Sequence, residues 1–302
     1  MDVLVTIGSI IIIIFIGFLT KHIGILKSED AVKFNQVVIY IAFPSLIFIT
    51  LYNADLSNIG DLFSITLVCV LIGLVCGFIG YLYSRIMKYP KKTVWGIVSA
   101  SALFNSGFIG YPVVLGVFGA AGLERAIFFD TGSSVILFIA FGMLFSVLFG
   151  SKHFREVVKD AVLFPALWAV ILGIIFNTLH LNIGSLPIQV TKLLSGAAIP
   201  LIMISLGLSL DPSTLRNYYK DAAIVSIIKL IIAPLIALVV VIIFGFSILN
   251  GKVTIAEAAM PSAMLALVLA ITYQLDIKIV SACVFLSTII SMLTLYIILT
   301  IL

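Results

Sequence analysis

Long apolar runs follow one another along this chain, and each is long enough to cross a membrane. A hydrocarbon core about 30 Å thick takes roughly 20 helical residues to span. Of the 302 residues, 63% are hydrophobic and only 10% are charged, whereas soluble domains carry about 25% charged residues. The sequence therefore predicts an all-α integral membrane protein.

Polar residues, glycine and proline divide the apolar sequence into segments. We predict ten transmembrane helices, and the fourth and ninth are expected to be broken because they carry glycine or proline in mid-run. No basic region precedes the first segment, which indicates a spanning helix rather than a secretory signal. The segments run near residues 3–20, 34–52, 62–84, 93–117, 126–149, 161–178, 187–210, 222–247, 253–273 and 278–302.

Basic residues are distributed unevenly between the loops. The loops after even-numbered segments hold only Arg125 and Lys252. Because Lys and Arg are retained on the cytoplasmic side of short loops, we predict that the odd loops lie inside and both termini outside. This topological role, rather than nucleic-acid binding, accounts for the net charge of +4. The odd loops hold Lys21, Lys27, Lys33, Arg85, Lys88, Lys91, Lys92, Lys152, Arg155, Lys159, Arg216, Lys220 and Lys278.

The two halves of the chain match each other at an offset of 156 residues. Pro44 of the second segment corresponds to Pro200 of the seventh, each after an alanine and one further apolar residue. The same offset brings Asn105 of the fourth segment onto Pro261 of the ninth. One offset that relates two different pairs of segments indicates an internal repeat.

Two aspartates extend this match, since Asp55 and Asp211 each lie eleven residues beyond the corresponding proline. Residues 1–152 and residues 153–302 would then each hold five segments. Because five is an odd number, the second half would enter the membrane in the opposite orientation. Such inverted repeats are typical of secondary transporters, which bind substrate near the bilayer midplane.

The broken segments carry the predicted substrate site. Glycine costs about 1 kcal/mol and proline about 3 kcal/mol inside a helix, and proline also removes a backbone hydrogen bond. Two broken helices that meet would point their N-termini at one spot, which favours an anion such as a carboxylate. Ordinary proline kinks are the alternative. The predicted substrate-binding residues are Asn105, Ser106, Gly107, Gly110, Tyr111, Pro112, Met260, Pro261 and Ser262.

Three ionisable residues within the apolar segments stand out, namely Asp130, Lys229 and Glu257. Charges at membrane depth are costly, so all three are candidates for ion coupling or charge pairing. Asp130 and Glu257 lie near the predicted ends of their segments, so an interfacial position is an alternative for both. We find no nucleotide-binding, nucleophile-elbow or zinc motif, and predict no cofactor, no metal and no enzymatic activity.

Four stretches of the chain resemble the auxin efflux carrier family of permeases: Phe34–Pro44, Asn105–Pro112, Ala198–Leu210 and Ala258–Thr288. The resemblance implies a ten-helix fold similar to that of bile-acid sodium symporters. In that fold, helices 1, 2, 6 and 7 form a scaffold, and helices 3 to 5 and 8 to 10 form a mobile transport domain. It also implies helices that cross at Asn105–Pro112 and Pro261, and often a dimer through the scaffold.

Members of that family move auxin or, in bacteria, dicarboxylates such as malate and malonate. We therefore expect a secondary transporter of small organic anions in the cell membrane, working by alternating access. Its expected partners are a carboxylate substrate and membrane lipid, with no nucleic acid. A sodium- or proton-coupled symporter is the alternative. A channel or membrane sensor is a weaker one, because polar residues cluster only near the two breaks.

Overall fold

The structure is a computed structural model that describes residues 3–150, 156, 159, 162–209 and 215–302. These residues are helical apart from short connections, and seven of their helices are long and apolar enough to cross a membrane. The predictions for Lys152, Arg155 and Asp211, and for the boundary between the halves, fall outside the described residues.

The helices are numbered in chain order within the described residues. Three of them, α2, α5 and α8, contain wide π-helical turns. The helices are α1 (Val3–His22), α2 (Asp30–Tyr52), α3 (Ile59–Ile86), α4 (Lys91–Ala102), α5 (Ser106–Phe149), α6 (Pro165–Thr178), α7 (Ser185–Ser209), α8 (Leu215–Ile243), α9 (Ile248–Ala258), α10 (Met264–Thr272) and α11 (Ile277–Ile301).

Helix α5 is bent into two arms at Gly119. Its 44 residues would extend about 66 Å at 1.5 Å per residue, which is roughly twice the thickness of a hydrocarbon core. Gly119 leaves the helical conformation with φ 70° and ψ −163°, a backbone region that glycine adopts without a Cβ penalty. Asp130 therefore lies well inside the second arm, and the predicted start of a segment at 126 is wrong.

Two other helices begin earlier than their apolar runs. Helix α8 begins at Leu215, seven residues before the predicted start, because its first turns are amphipathic and hydropathy alone misses them. Helix α9 begins at Ile248, and the side chain of Ser247 caps it by accepting a hydrogen bond from the Asn250 N–H. Glu257 therefore lies at the end of α9, next to the break, rather than at the start of a segment.

The helices pack in two groups. In the first, α7 packs against α1 and α2, and α6 packs against α2. In the second, α3 packs against α4 and α5, α11 packs against α4, α8 and α10, and α9 packs against α5. The closest approach within the first group lies between α1 and α7, where Gly17 and Gly207 bring the two backbones into contact.

The start of α8 is tied to α3 through Asp221. The buried carboxylate of this residue accepts hydrogen bonds from the hydroxyls of Tyr83, at 2.8 Å, and Tyr89, at 2.7 Å. Tyr89 lies in the connection between α3 and α4, where partial burial and then its hydrogen bond to Asp221 raise its pKa. This shared acceptor fixes the ends of two helices that are far apart in sequence.

Substitution of Gly207 by alanine should separate α1 from α7. A Cβ at this position would overlap the carbonyl oxygen of Ile14 and lie 3.0 Å from the Cα of Gly17. Overpacking of this kind costs about 1–3 kcal/mol, so we expect a lower thermal unfolding midpoint in detergent. Gly196→Ala is the matched control, because a Cβ there meets nothing within 4 Å. Equal midpoints for the two variants would contradict the proposed close contact.

Candidate functional site

Two helix breaks meet in the interior of the protein. The first separates α4 from α5, and the second separates α9 from α10. Residues 103–105 and 259–263 run side by side there, and we call this pair of segments the crossing. The N–H of Asn105 donates to the carbonyl of Pro261 at 2.9 Å, and the N–H of Ala263 donates to the carbonyl of Leu103 at 3.2 Å. Backbone groups freed by each break are thus satisfied by the other, as membrane burial requires.

Two serines complete the crossing from neighbouring helices. The N–H of Phe104 donates to Ser133 Oγ of α5 at 2.9 Å, and the N–H of Ser262 donates to Ser287 Oγ of α11 at 3.2 Å. The two contacts are equivalent, because in each a backbone N–H within a break donates to a serine hydroxyl on a helix that follows in the sequence. The crossing is therefore held by side chains as well as by its own backbone pairing.

Pro112 does not break a helix, contrary to the prediction. The break ends at Asn105, and Pro112 lies within α5 just after the wide π-helical turn Ser106–Gly110. The carbonyl of Asn105 accepts hydrogen bonds from both Ile109 N and Gly110 N. A wide turn leaves room for a proline ring, which would otherwise clash with the carbonyl four residues back. Pro261, in contrast, lies within the second break and supplies its carbonyl to the crossing.

Asp130 is buried and bonded to three hydroxyls. Its Oδ1 atom accepts hydrogen bonds from Ser106 Oγ at 2.5 Å and Ser134 Oγ at 2.6 Å. The hydroxyl of Tyr111 donates to Oδ2 at 3.0 Å. The carboxyl group thus joins the start of α5 to its second arm. This burial keeps the carboxyl group of Asp130 away from the outer surface of the described structure.

The side chain of Asn105 brings an amide nitrogen to the crossing that forms no hydrogen bond within the described structure. The residue is 3% exposed, and its Nδ2 has no hydrogen-bond partner among the described residues. Ser262 Oγ, on the other side of the crossing, is likewise buried without a partner there. Since buried polar groups are normally hydrogen-bonded, these atoms are candidates for contact with a ligand.

Glu257 is fully buried at the end of α9. Neither of its carboxyl oxygens has a hydrogen-bond partner in the described part of the chain. Its carboxyl group lies against the backbone of Gly110, where even a single added methyl group would overlap both oxygens. A Cβ at position 110 would therefore force the carboxyl group of Glu257 to move, and burial keeps that group away from the outer surface of the described structure.

Lys229 is also fully buried, in the π-helical turn of α8. Its Nζ lies 2.9 Å from the centroid of the Phe104 ring and has no hydrogen-bond partner among the residues described. The contact is a cation–π interaction with a residue of the crossing.

A cavity of about 950 Å³ lies between the two packing groups. One wall comes from α2, residues 163–165 and the end of α7, and the other from α5, α10 and α11. A second space of about 40 Å³ shares Phe108, Ser134 and Met264 with it. Asn105 and Asp130 line this smaller space, which therefore forms the inner end of the cavity beside the crossing.

The structure brings only some of the predicted site residues to this cavity. Asn105 and Gly107 line its inner end. Met260 lies instead in an apolar cluster with residues of α1 and α7. The remaining predicted residues are buried around the crossing without lining either space: Ser106, Gly110, Tyr111, Pro112, Pro261 and Ser262.

Four residues with hydroxyl side chains contribute to the site but were not predicted from the sequence. Ser133 and Ser287 bond the crossing, while the following residues, Ser134 and Thr288, line the cavity. Each pair consists of adjacent hydroxyl residues within an apolar helix, and the pairs are 154 residues apart. That spacing is close to the repeat offset, so a search for paired hydroxyls at this distance would have found them.

Comparison with known proteins gives consistent matches over the chain. The family described as "Membrane transport protein" matches residues 2–153 and 151–299. An uncharacterised transporter from Methanothermobacter thermautotrophicus is 47% identical over 290 residues, which cover 96% of this chain and 95% of that protein. Another from Methanocaldococcus jannaschii is 38% identical over 289 residues, or 94% of each chain.

A plant protein gives a shorter match. The auxin efflux carrier component 8 of Arabidopsis thaliana is 30% identical over 129 residues, which cover 41% of this chain and 35% of that protein. This similarity agrees with the family resemblance of the four stretches identified in the sequence.

Replacement of Lys229 by methionine should raise the thermal stability of the protein. Methionine keeps most of the side-chain volume, while it removes an amine that is buried without a hydrogen-bond partner in the described structure. Burial of an unpaired ammonium group costs several kcal/mol, more than the roughly 2 kcal/mol that a desolvated cation–π contact returns. We expect a higher unfolding midpoint for Lys229→Met and a lower one for Lys229→Ala, which leaves a void. A marked loss of stability in Lys229→Met would show that the ammonium group itself supports the fold.

Proposed function

Because this chain belongs to the membrane transport protein family, we propose that this multi-pass membrane protein carries small organic anions across the cell membrane by alternating access. The observation that carries the proposal is the crossing. Two helix starts and the free amide of Asn105 converge there, at the inner end of a cavity between two packed groups of helices.

The crossing has the chemistry of an anion site. Helix α5 begins at Ser106 and α10 begins at Met264, and the first N–H groups of a helix have no acceptor within it. Together with the positive end of the helix dipole, such groups bind carboxylates. Asn105 and Met264 line the inner space, so a carboxylate placed there lies beside the amide of Asn105 and the start of α10. The start of α5 already faces the carboxylate of Asp130 through the N–H of Gly107. Ser106 would act indirectly, because its hydroxyl already donates to Asp130.

We further propose that the chain spans the membrane ten times as two inverted halves. Support comes from the two breaks at residues 103–105 and 259–263, and from the equivalent contacts of Ser133 and Ser287. In this arrangement α1, α2, α6 and α7 form the scaffold, and the other helices form the moving domain. The cavity between these groups is where alternating access requires the substrate path. The family resemblance favours a dimer through the scaffold.

The lining of the cavity reaches the helix ends beside the loops that carry most of the basic residues. It includes Ser28 before α2, Leu163 before α6, Ser209 at the end of α7 and Tyr273 after α10. If basic loops lie in the cytoplasm, this conformation exposes the site to the inside and both termini lie outside.

A coupled symporter is the second candidate, and Glu257 favours it. A carboxyl group that is fully buried and has no hydrogen-bond partner in the described residues is suited to take up a proton or a sodium ion. Its contact with Gly110 connects it to the first arm of α5, which begins at the crossing. Binding of a cation at Glu257 would thus change the geometry of the proposed substrate site through α5.

Asn105→Ala should abolish uptake of a transported carboxylate into proteoliposomes. The variant removes the free amide donor while the backbone pairing of the crossing stays, so expression and folding should be retained. We expect a loss of about tenfold or more, because a hydrogen bond to a charged group contributes about 1.5–3 kcal/mol. Asn58→Ala is the matched control, because Asn58 is exposed and its side chain makes no capping hydrogen bond. Normal transport by Asn105→Ala would refute the role of this residue.

Glu257→Gln should uncouple uptake from an ion gradient if the protein is a symporter. Glutamine preserves size and polarity but cannot exchange a proton or neutralise a sodium ion. Uptake by the native protein should then fall when the sodium or proton gradient is collapsed, and uptake by Glu257→Gln should no longer respond. Glu29→Gln, at an exposed position, is the control. Native uptake that merely equilibrates, whatever the gradient, would exclude the symporter.

A further inference from the structure

We infer that the ends of four helices form a binding surface for the headgroups of anionic phospholipids. This basic surface lies at the end of α3 and at the starts of α4, α8 and α11, and none of its residues lines the cavity or its inner end. The inference concerns the membrane partner of the protein and does not depend on which substrate is carried. The basic surface consists of Arg85, Lys88, Lys91, Lys92, Arg216, Lys220 and Lys278.

A hydrogen bond brings the connection between α3 and α4 to the start of α8. The hydroxyl of Tyr89, which lies in that connection, donates to Asp221 Oδ1 at 2.7 Å. Lys88 immediately precedes Tyr89 in the sequence, and Lys220 immediately precedes Asp221. Two segments that are 132 residues apart therefore place their lysines at the same end of the protein.

The start of α11 and the end of α5 join α4 at this end. Thr93, in the first turn of α4, donates its hydroxyl to Asp276 Oδ2 at 3.0 Å. The Nζ of Lys91 donates to the carbonyl of Leu148, near the end of α5, at 3.0 Å. Lys278 follows Asp276 by two residues. Basic residues of α4 and α11 are thus neighbours, although their helices are far apart in the sequence.

Two acidic residues lie beside the basic surface, but other groups already occupy their carboxylates. Asp221 is buried and accepts hydrogen bonds from the hydroxyls of Tyr83 and Tyr89. Asp276 accepts from Thr93, and its Oδ1 caps α11 by accepting from the N–H at position 279, at 3.4 Å. Both carboxylates therefore hold helix ends together rather than pair with the lysines and arginines around them.

The positive charges of the basic surface have no counter-charge among the described residues. All seven of its residues are exposed. The ion pairs of the described residues join Lys33 to Asp30 and Arg125 to Glu124, and neither pair includes a residue of this surface. Like charges concentrated on one face repel each other, and a bound anion would relieve that repulsion.

The connection between α1 and α2, in the first packing group, shows the opposite balance. Its residues Lys27 and Lys33 are accompanied by Glu29 and Asp30. Asp30 Oδ2 accepts a hydrogen bond from the N–H of Lys27 at 2.8 Å, and Oδ1 lies 3.7 Å from the Nζ of Lys33. Residues 27–33 therefore neutralise themselves, and the basic surface belongs to the second packing group.

The surroundings of the basic surface favour a lipid over a soluble anion. Helices α3, α8 and α11 are long and apolar enough to span a membrane, so their ends lie where the membrane meets water. Ile86, which is 77% exposed, follows Arg85, and the exposed Tyr219 precedes Lys220. Apolar and aromatic side chains at this depth contact lipid while basic groups reach the phosphates. Clusters of about four to eight basic residues beside spanning helices bind anionic headgroups in this way.

The first test compares lipids by the thermal stability of the full-length, delipidated protein in detergent micelles. Phosphatidylglycerol, phosphatidylcholine and inorganic phosphate are added separately. A ligand bound only by the native state raises the unfolding midpoint, so we expect phosphatidylglycerol to raise it, and high salt to weaken the effect. Equal stabilisation by the two lipids would overturn the inference. Inorganic phosphate that stabilises as well as phosphatidylglycerol would overturn it too, because the surface would then bind soluble anions.

The second test removes three exposed lysines from the basic surface. Lys88→Gln, Lys92→Gln and Lys220→Gln are combined, and Lys91 is kept because it bonds the end of α5. Affinity is measured by titration with fluorescent phosphatidylglycerol. It should fall about fivefold for each lysine removed, the scale of the attraction between one basic residue and an anionic membrane surface.

The matched control combines Lys27→Gln, Lys33→Gln and Lys192→Gln. These residues are exposed and lie outside the basic surface, so the control removes the same charge elsewhere and should bind phosphatidylglycerol as the native protein does. Equal losses in the two triple variants, or no loss in the first, would contradict the inference. Unfolding midpoints without lipid verify that both variants fold, and the lipid comparison on the native protein decides the matter if one does not. A negative result in either test leaves the proposed transport standing.

Discussion

The antiparallel pairing of the two helix breaks is the interaction on which the described structure depends. Inside a membrane there is no water to satisfy a free N–H or carbonyl group, and each one left unpaired costs several kcal/mol. The hydrogen bonds from Asn105 to Pro261 and from Ala263 to Leu103 let both helices stop at membrane depth. Two helix starts can then face a common cavity. Neither break would be tolerable without the other, so the site and the fold are stabilised by the same contacts.

Ionisable groups gather around this pairing, and each has a distinct environment. Asp130 receives three hydroxyl donors, Lys229 lies over the Phe104 ring, and Glu257 has no hydrogen-bond partner among the described residues. A structural role accounts for Asp130, which binds both arms of α5 together. Glu257 and Lys229 are less well explained by stability, because burial without pairing is unfavourable. We therefore propose a role in transport for both residues.

Sequence reasoning located the crossing but not all its details. Pro261 lies in one break, whereas Gly107 and Gly110 lie in the wide turn that follows the other. The resemblance to auxin efflux carriers is confirmed. The same reasoning wrongly made Pro112 a breaker, since it could not foresee the wide turn Ser106–Gly110 that accommodates the ring. It also left the surroundings of Asp130 and Glu257 open, because hydropathy does not detect amphipathic first turns or a bend such as that at Gly119.

The sequence by itself determined that this chain is a helical membrane protein, which class of transporter it resembles, and where its helices weaken. These properties follow from local composition and spacing, which the bilayer constrains directly. Tertiary structure alone decided that Asn105 keeps a free amide, that Ser133 and Ser287 hold the crossing, and that the basic ends of α3, α4, α8 and α11 lie together. Such properties depend on which side chains of distant helices come together, and periodicity within one helix carries no information about its neighbours.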